Sequence, residues 1–190
     1  ALSKDKKEVL RLSEEGQVIE KPEDIIKDPY IFEFTGLPQL PVYKEGDLEK
    51  ALIDNISKFL LELGKGFAFM GRQQRINIGG RIFKVDIVFY HTILKCYVLI
   101  DLKRGEVQHE DIGQMNMYLN YYREEVNTEG DNEPIGIVLG AYEDKLMVKY
   151  ATQNISNKLF VSKYQLYLPN REQLENEISR FLDNKPKTDA

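Results

Sequence analysis

FKVDIVFYHTILKCYVLIDLKR, residues Phe83 to Arg104, reads as two β-strands joined by a short turn. Successive side chains of a strand point to opposite faces. In the first strand Phe83, Val85, Ile87 and Phe89 share one face, and Lys84, Asp86 and Val88 the other. In the second, Cys96, Val98, Ile100 and Leu102 share a face, with Tyr97, Leu99, Asp101 and Lys103 opposite. The first set of each strand is wholly apolar and asks for a core. The second sets place Asp86, Asp101 and Lys103 together if the strands are neighbours. Two carboxylates and an ammonium at the ends of hydrophobic strands are costly unless paired or bound to a metal.

Fourteen residues separate Asp86 from the run Asp101-Leu102-Lys103. This arrangement resembles the PD-(D/E)XK nuclease superfamily, whose signature is an Asp, a spacer, and (D/E)-X-K on the next strand. Val85 stands where the signature has Pro, a departure that touches no ligand. The resemblance implies a restriction-endonuclease-like α/β core of order α-β-β-β-α-β, with a mixed central sheet flanked by helices.

Residues outside the hairpin fit that order. Asp47 to Gly64 is the clearest helix: Leu48, Leu52, Ile56, Phe59, Leu60 and Leu63 follow the helical period, and Gly64 and Gly66 stop it. Asp47 is its expected N-cap. Phe67 to Ile78 is a strand whose polar half holds Arg72, Gln73, Gln74 and Arg75, and Gly79-Gly80 turns it into the Asp86 strand. A helix is predicted from about Gln108 to Glu125, with Ile112, Met115, Leu119 and Tyr122 inward. Ile135 to Ala141 is a continuous apolar run, as a buried strand requires. Leu146–Thr152 and Tyr164–Leu168 read as shorter strands or edges, and Arg171–Asn184 as a terminal amphipathic helix with a frayed tail from Lys185. Residues 1–46 read as a connector: a short helix over Lys4–Gly16, four prolines, and the apolar group Tyr30, Ile31, Phe32 and Phe34 lying against the domain of residues 47–190.

Composition bounds the partners. The chain has 190 residues, 42% hydrophobic and 30% charged, ordinary for a soluble globular protein. No long apolar run suggests a membrane span. The single cysteine, Cys96, falls on a core face, which suits a reducing compartment and a cytoplasmic location. Net charge is −5, yet residues 65–104 hold eight Lys/Arg against Asp86 and Asp101, a net of +6 that leaves −11 for the rest. A basic segment around two carboxylates suits an enzyme acting on a polyanion; Lys and Arg also blunt hairpin edges against aggregation.

A closer resemblance covers nearly the whole chain. The runs IKDPYIFEFTGL, LEKALIDNISKFLLELGKGFAFMGRQ, DIVFYH, GQMNMYLNYY and GDNEPIGIVLG are similar to the YhcG-like bacterial family. Its members usually carry an N-terminal winged-helix-type domain before this nuclease-like one. The family usually has Glu-Leu-Lys where this chain has Asp101-Leu102-Lys103; the superfamily accepts Asp there, on a shorter arm.

The two resemblances imply a site. Asp86, Asp101, the backbone carbonyl of Leu102 and Glu49, on the helix before the first strand, would hold Mg²⁺ or Mn²⁺. On its own sequence context, Glu49 is equally an acid favouring its helix dipole. Lys103 would orient or deprotonate the attacking water, or stabilise the developing charge. Gln114 and Tyr118, four apart on one helix, resemble the Gln-xxx-Tyr motif of nucleases akin to archaeal Holliday-junction resolvases and RecB-type domains, and would hold the phosphate backbone. Arg72, Arg75 and Lys84 would extend that contact. The expected function is metal-dependent phosphodiester hydrolysis in DNA, branched or structured DNA included, with a homodimer as one arrangement. The other reading is a non-catalytic module that keeps the fold to bind nucleic acid or protein.

Overall fold

A computed structural model of the protein describes residues 18–32, 35, 37, 45–142, 144–153, 155 and 158–166. The expected helices over Lys4–Gly16 and Arg171–Asn184, the tail from Lys185, and Phe34 lie outside the described residues.

Six strands make one mixed sheet: β1 (Tyr30–Ile31), β2 (Phe67–Ile78), β3 (Arg81–His91), β4 (Cys96–Leu102), β5 (Ile135–Gly140) and β6 (Lys158–Gln165). Their spatial order is β1-β6-β5-β4-β3-β2. The strands β2, β3 and β4 meander antiparallel, while β4, β5, β6 and β1 pair in parallel. Among the described residues four α-helices cover the sheet: α1 (Glu45–Asp54), α2 (Ile56–Leu63), α3 (His109–Tyr121) and α4 (Lys145–Thr152). Counting α1 and α2 together, the order from α1 to β5 is α-β-β-β-α-β, with β1 before it.

The apolar alternation of the hairpin buries both faces. On one, Ile87, Phe89, Cys96, Val98 and Ile100 meet Leu48 and Leu52 of α1 and Phe59 and Leu63 of α2. On the other, Val88, Leu99 and Val138 meet Ile112, Met115, Tyr118 and Leu119 of α3. Each such side chain removed from water contributes about 1.5–3 kcal/mol. The α3–sheet approach is close: a Cβ on Gly136 would fall 2.7 Å from Met115 Cγ and 2.9 Å from Leu119 Cδ1. Tyr30 and Phe32 are fully buried in the first cluster, and Tyr30–Ile31 adds an edge strand beside β6. Among the described residues no helix is long and apolar enough to cross a membrane.

The structure departs from the sequence expectation at five points. The single helix over Asp47–Gly64 is two, because Asn55 (φ −115°, ψ 34°) turns its side-chain amide onto the Ala51 carbonyl at 3.1 Å, competing with the helix. Asp47 lies inside α1, which begins at Glu45, and so does not cap it. Leu146–Thr152 is helical rather than extended: the Asp144 carboxylate accepts from the Leu146 and Met147 amides at 2.8 and 3.1 Å. Met147, Val148 and Ala151 then point inward at helical spacing. The last strand starts at Lys158, well before Tyr164. Finally, Val85 and Phe83 pack with the α3 cluster, not with Ile87 and Phe89, because β3 changes course at Asp86.

Candidate active site

That change of course builds the site. The β3–β4 ladder runs from His91↔Cys96 to Ile87↔Ile100 and stops one residue short of the two aspartates. There the Asp86 carboxylate takes over from the backbone: its Oδ2 accepts the Leu102 N–H at 2.8 Å. The next amide along, Lys103 N–H, bonds to Leu139 O of β5 at 2.7 Å, so β4 keeps to β5 while β3, still paired with β2, parts from it. The gap holds Asp86 and Asp101 facing one another.

Asp101 is 4% exposed. Burial first, and the Asp86 charge second, push its carboxyl up to about 7 despite the Lys103 ammonium 2.9 Å from Oδ2. Lys103 Nζ also lies 3.2 Å from Asp111 Oδ1, at the start of α3. Burial works against the ammonium, but these two carboxylates outweigh it and hold its pKa above the usual lysine range. Asp111 is itself fixed, since its other oxygen accepts the Gln108 N–H at 2.8 Å and closes the first turn of α3.

Glu49 reaches the site from α1. Burial and the Asp86 charge raise its pKa, offset in part by Arg72, Gln73 and Lys84. Its Oε1 is buried with no hydrogen-bond partner. Its Oε2 accepts from the Gln73 side-chain amide at 3.0 Å, and the same nitrogen donates to Asp86 Oδ1 at 3.0 Å. Gln73, like Asp111, lies outside the sequence motifs. Its only signal in the sequence is a place in the polar run Arg72–Arg75.

The structure thus brings Glu49, Asp86, Asp101, Lys103 and the Leu102 backbone to one place. Gln114 is adjacent through a relay: its amide donates to the Tyr118 hydroxyl at 2.5 Å, and that hydroxyl donates to Lys84 O at 3.1 Å. Tyr118 itself is fully buried, edge-on to Phe83 with centroids 6.4 Å apart. The phosphate contact expected of Tyr118 therefore has no surface to act through; the ring pins α3 to β3 and orients Gln114. Arg72, Arg75 and Lys84 are exposed on the β2–β3 hairpin, with Arg75 and Lys84 directly opposite in register.

Among the described residues no three acidic, thiol or imidazole groups are already gathered as a metal cluster. The donor set nevertheless fits a hard cation: three carboxylates supply oxygen only, two of them are held above their ordinary pKa by burial and then by the Asp86 charge, and the Glu49 oxygen without a donor faces no competing hydrogen bond.

Solved structures with a similar fold include a repair endonuclease from Pyrococcus abyssi, 20% identical, with a TM-score of 0.46 over 67% of this chain and 50% of that one. An EndoMS–double-stranded DNA complex is 18% identical, with a TM-score of 0.47 over 70% and 51%. The YhcG protein of Escherichia coli strain K12 is 40% identical over 179 residues, covering 94% of this chain and 47% of that protein. The chain therefore spans about half the length of this curated relative. The sequence profile of the YhcG PDDEXK nuclease domain matches residues 23–179, a span that holds every residue of the site above. The chain belongs to the YhcG-type PD-(D/E)XK nuclease domain family.

Proposed function

We propose that this domain is a metal-dependent nuclease that hydrolyses phosphodiester bonds in DNA. The observation that carries the proposal is the parting of β3 and β4 at Asp86, which opens a gap lined by Asp86, Asp101, Glu49 and Lys103 on a sheet otherwise closed by apolar packing. A fold kept only for binding has no need to crowd like charges at a strand gap, where the Asp86 charge raises the pKa of both Asp101 and Glu49.

Mg²⁺ or Mn²⁺, held by Asp86, Asp101, Glu49 and the Leu102 carbonyl, would supply Lewis acidity and a lowered pKa for bound water. The protein's own groups do the rest. Lys103 enters as an ammonium, since two carboxylates hold its proton; it serves to orient the attacking water or to neutralise the phosphate, not to take a proton. Gln114, set by Tyr118, offers its amide to a phosphate oxygen. Arg75 and Lys84, like charges facing each other across the hairpin, repel one another in the free protein, and a polyanion lying over the hairpin relieves that repulsion. The choice of DNA rests on the likeness of the Gln114–Tyr118 spacing to junction-resolving and RecB-type nucleases.

The test is cleavage of labelled single-stranded, duplex and branched DNA, and of RNA, by wild type and Lys103→Ala, with Mg²⁺, with Mn²⁺ and with chelator. Cleavage of DNA that needs the cation and Lys103 supports the proposal. Binding without cleavage under every cation, unchanged in Lys103→Ala, would establish the binding module instead. That reading has one observation in its favour: Asp86 and Asp101 already engage protein partners, the Leu102 and Gln73 donors and Lys103.

A further inference from the structure

Among the described residues, Gln73 bridges the carboxylates of Glu49 and Asp86. Its Nε2 lies 3.0 Å from Glu49 Oε2 and 3.0 Å from Asp86 Oδ1. The amide's orientation follows from chemistry: both neighbours are carboxylate oxygens, so the NH₂ end must face them and the carbonyl end must face away. Two N–H groups thus point at the spot on which the two carboxylates converge.

The backbone is shaped to put it there. Gln73 has φ +48°, in the left-handed region, within a strand whose pairing is regular on either side at Arg72↔Ile87 and Gln74↔Val85. A non-glycine residue in that conformation is strained and persists where the surroundings over-determine it. Two charge-assisted hydrogen bonds provide that determination. Left-handed backbone in mid-strand also breaks the alternation, which otherwise has no means of aiming this side chain at a helix on one side and a strand gap on the other.

Resting on the proposed function, we propose that Gln73 is a fourth side chain of the cation site, acting as an amide with two working orientations. Without a cation its NH₂ group stands in for one, bridging Glu49 and Asp86 and offsetting their repulsion. A hard divalent ion held between Glu49 Oε2 and Asp86 Oδ1 would stand where the two N–H groups now point, and such an ion accepts oxygen ligands, not N–H donors. Rotation of the amide about its last side-chain bond presents the carbonyl oxygen, a ligand such ions accept, where the NH₂ had been. One residue thereby holds the empty carboxylates in place and completes the loaded site.

Two unbranched replacements separate this role from simple support of the strand. Gln73→Glu keeps the shape and an oxygen but loses both N–H donors; Gln73→Met loses donor and oxygen alike. Melting temperature in chelator and calorimetric titration with Mn²⁺ alone read the two halves of the proposal. Both variants should melt below wild type without metal, Gln73→Glu the lower, since it adds a carboxylate to two others. With Mn²⁺ they should diverge: Gln73→Glu, which adds a charged oxygen, binds about tenfold more tightly than wild type, and Gln73→Met about tenfold more weakly, in the range of losses seen when groups at a metal site are removed. A strand-supporting role alone would lower both melting temperatures and leave both affinities within about twofold of wild type, and that result overturns the inference. So does a Gln73→Glu variant that binds Mn²⁺ more weakly than wild type. Wild-type Mn²⁺ binding that Asp101→Asn abolishes keeps the nuclease site standing if the Gln73 variants fail, whereas a wild type that takes no Mn²⁺ overturns both.

Discussion

Replacing Asp101 by Asn should remove most of a pH-dependent weakness from the metal-free protein. In the unfolded chain this carboxyl ionises near its ordinary 3.8, while in the fold burial and Asp86 make it hold its proton to about 7. Between those values the folded state binds the extra proton, so stability is greatest below about pH 4, declines as pH rises, and has lost the whole contribution above about 7. A shift of about 3 units at about 1.4 kcal/mol each gives roughly 4 kcal/mol; water entry and the shared titration with Asp86 bring the expectation to about 2–4 kcal/mol. Asparagine has the same shape and no proton to lose. Its own cost, chiefly the ion pair with Lys103 at 2.9 Å, is set against Asp111, which still holds the ammonium at 3.2 Å. Whatever that cost, the difference between variant and wild type should move in favour of the variant by about 2–4 kcal/mol from pH 4.5 to pH 8, or about 5–15 °C in melting temperature for a domain of this size. Urea unfolding in chelator across that range measures it. Parallel profiles, within about 0.5 kcal/mol throughout, would refute the account of Asp101 as a buried carboxyl crowded by Asp86.

Three other outcomes follow from the geometry. Asp86→Asn should destabilise the metal-free protein by about 1–3 kcal/mol, because both carboxylate oxygens accept from donors, Gln73 Nε2 and Leu102 N–H, and an NH₂ would face one of them; a melting temperature at or above wild type would contradict this. Arg75→Ala and Lys84→Ala should leave metal-free stability unchanged or slightly raised, and each should reduce the salt slope of DNA binding by about 1; unaltered slopes in electrophoretic titrations would remove the hairpin from the interface. Gly136→Ala should cost about 1–3 kcal/mol in chemical unfolding, since the added methyl meets Met115 and Leu119 below 3.0 Å, and a neutral effect would mean that α3 can withdraw from β5.

How much was legible in advance depended on how local the physics is. The β3–β4 hairpin, the buried run Ile135–Gly140 and the helix through Ile112, Met115 and Leu119 declare themselves by period, because burial on a strand or helix face constrains residues two, three or four apart. The nearness of Asp86 to Asp101 was likewise readable, since a tight turn leaves few registers and the ladder reaches Ile87↔Ile100 beside them. What the chain's local pattern could not decide was where tertiary forces override it. Leu146–Thr152 carries enough β-branched and aromatic character to look extended, and only the Asp144 cap and the packing of Met147, Val148 and Ala151 make it a helix. Tyr118 sits on a helix flank in the sequence, yet the hairpin folds over it and buries it completely. Gln73 showed only as one of a polar run: its role arises from a left-handed residue, a helix that arrives from 24 residues upstream and a carboxylate 13 residues downstream. Sequence alone determined which carboxylates and which lysine the chain possesses at the ends of its strands. Only the tertiary structure, by parting β3 from β4, determined that those charges share one gap and which neutral side chain holds them apart.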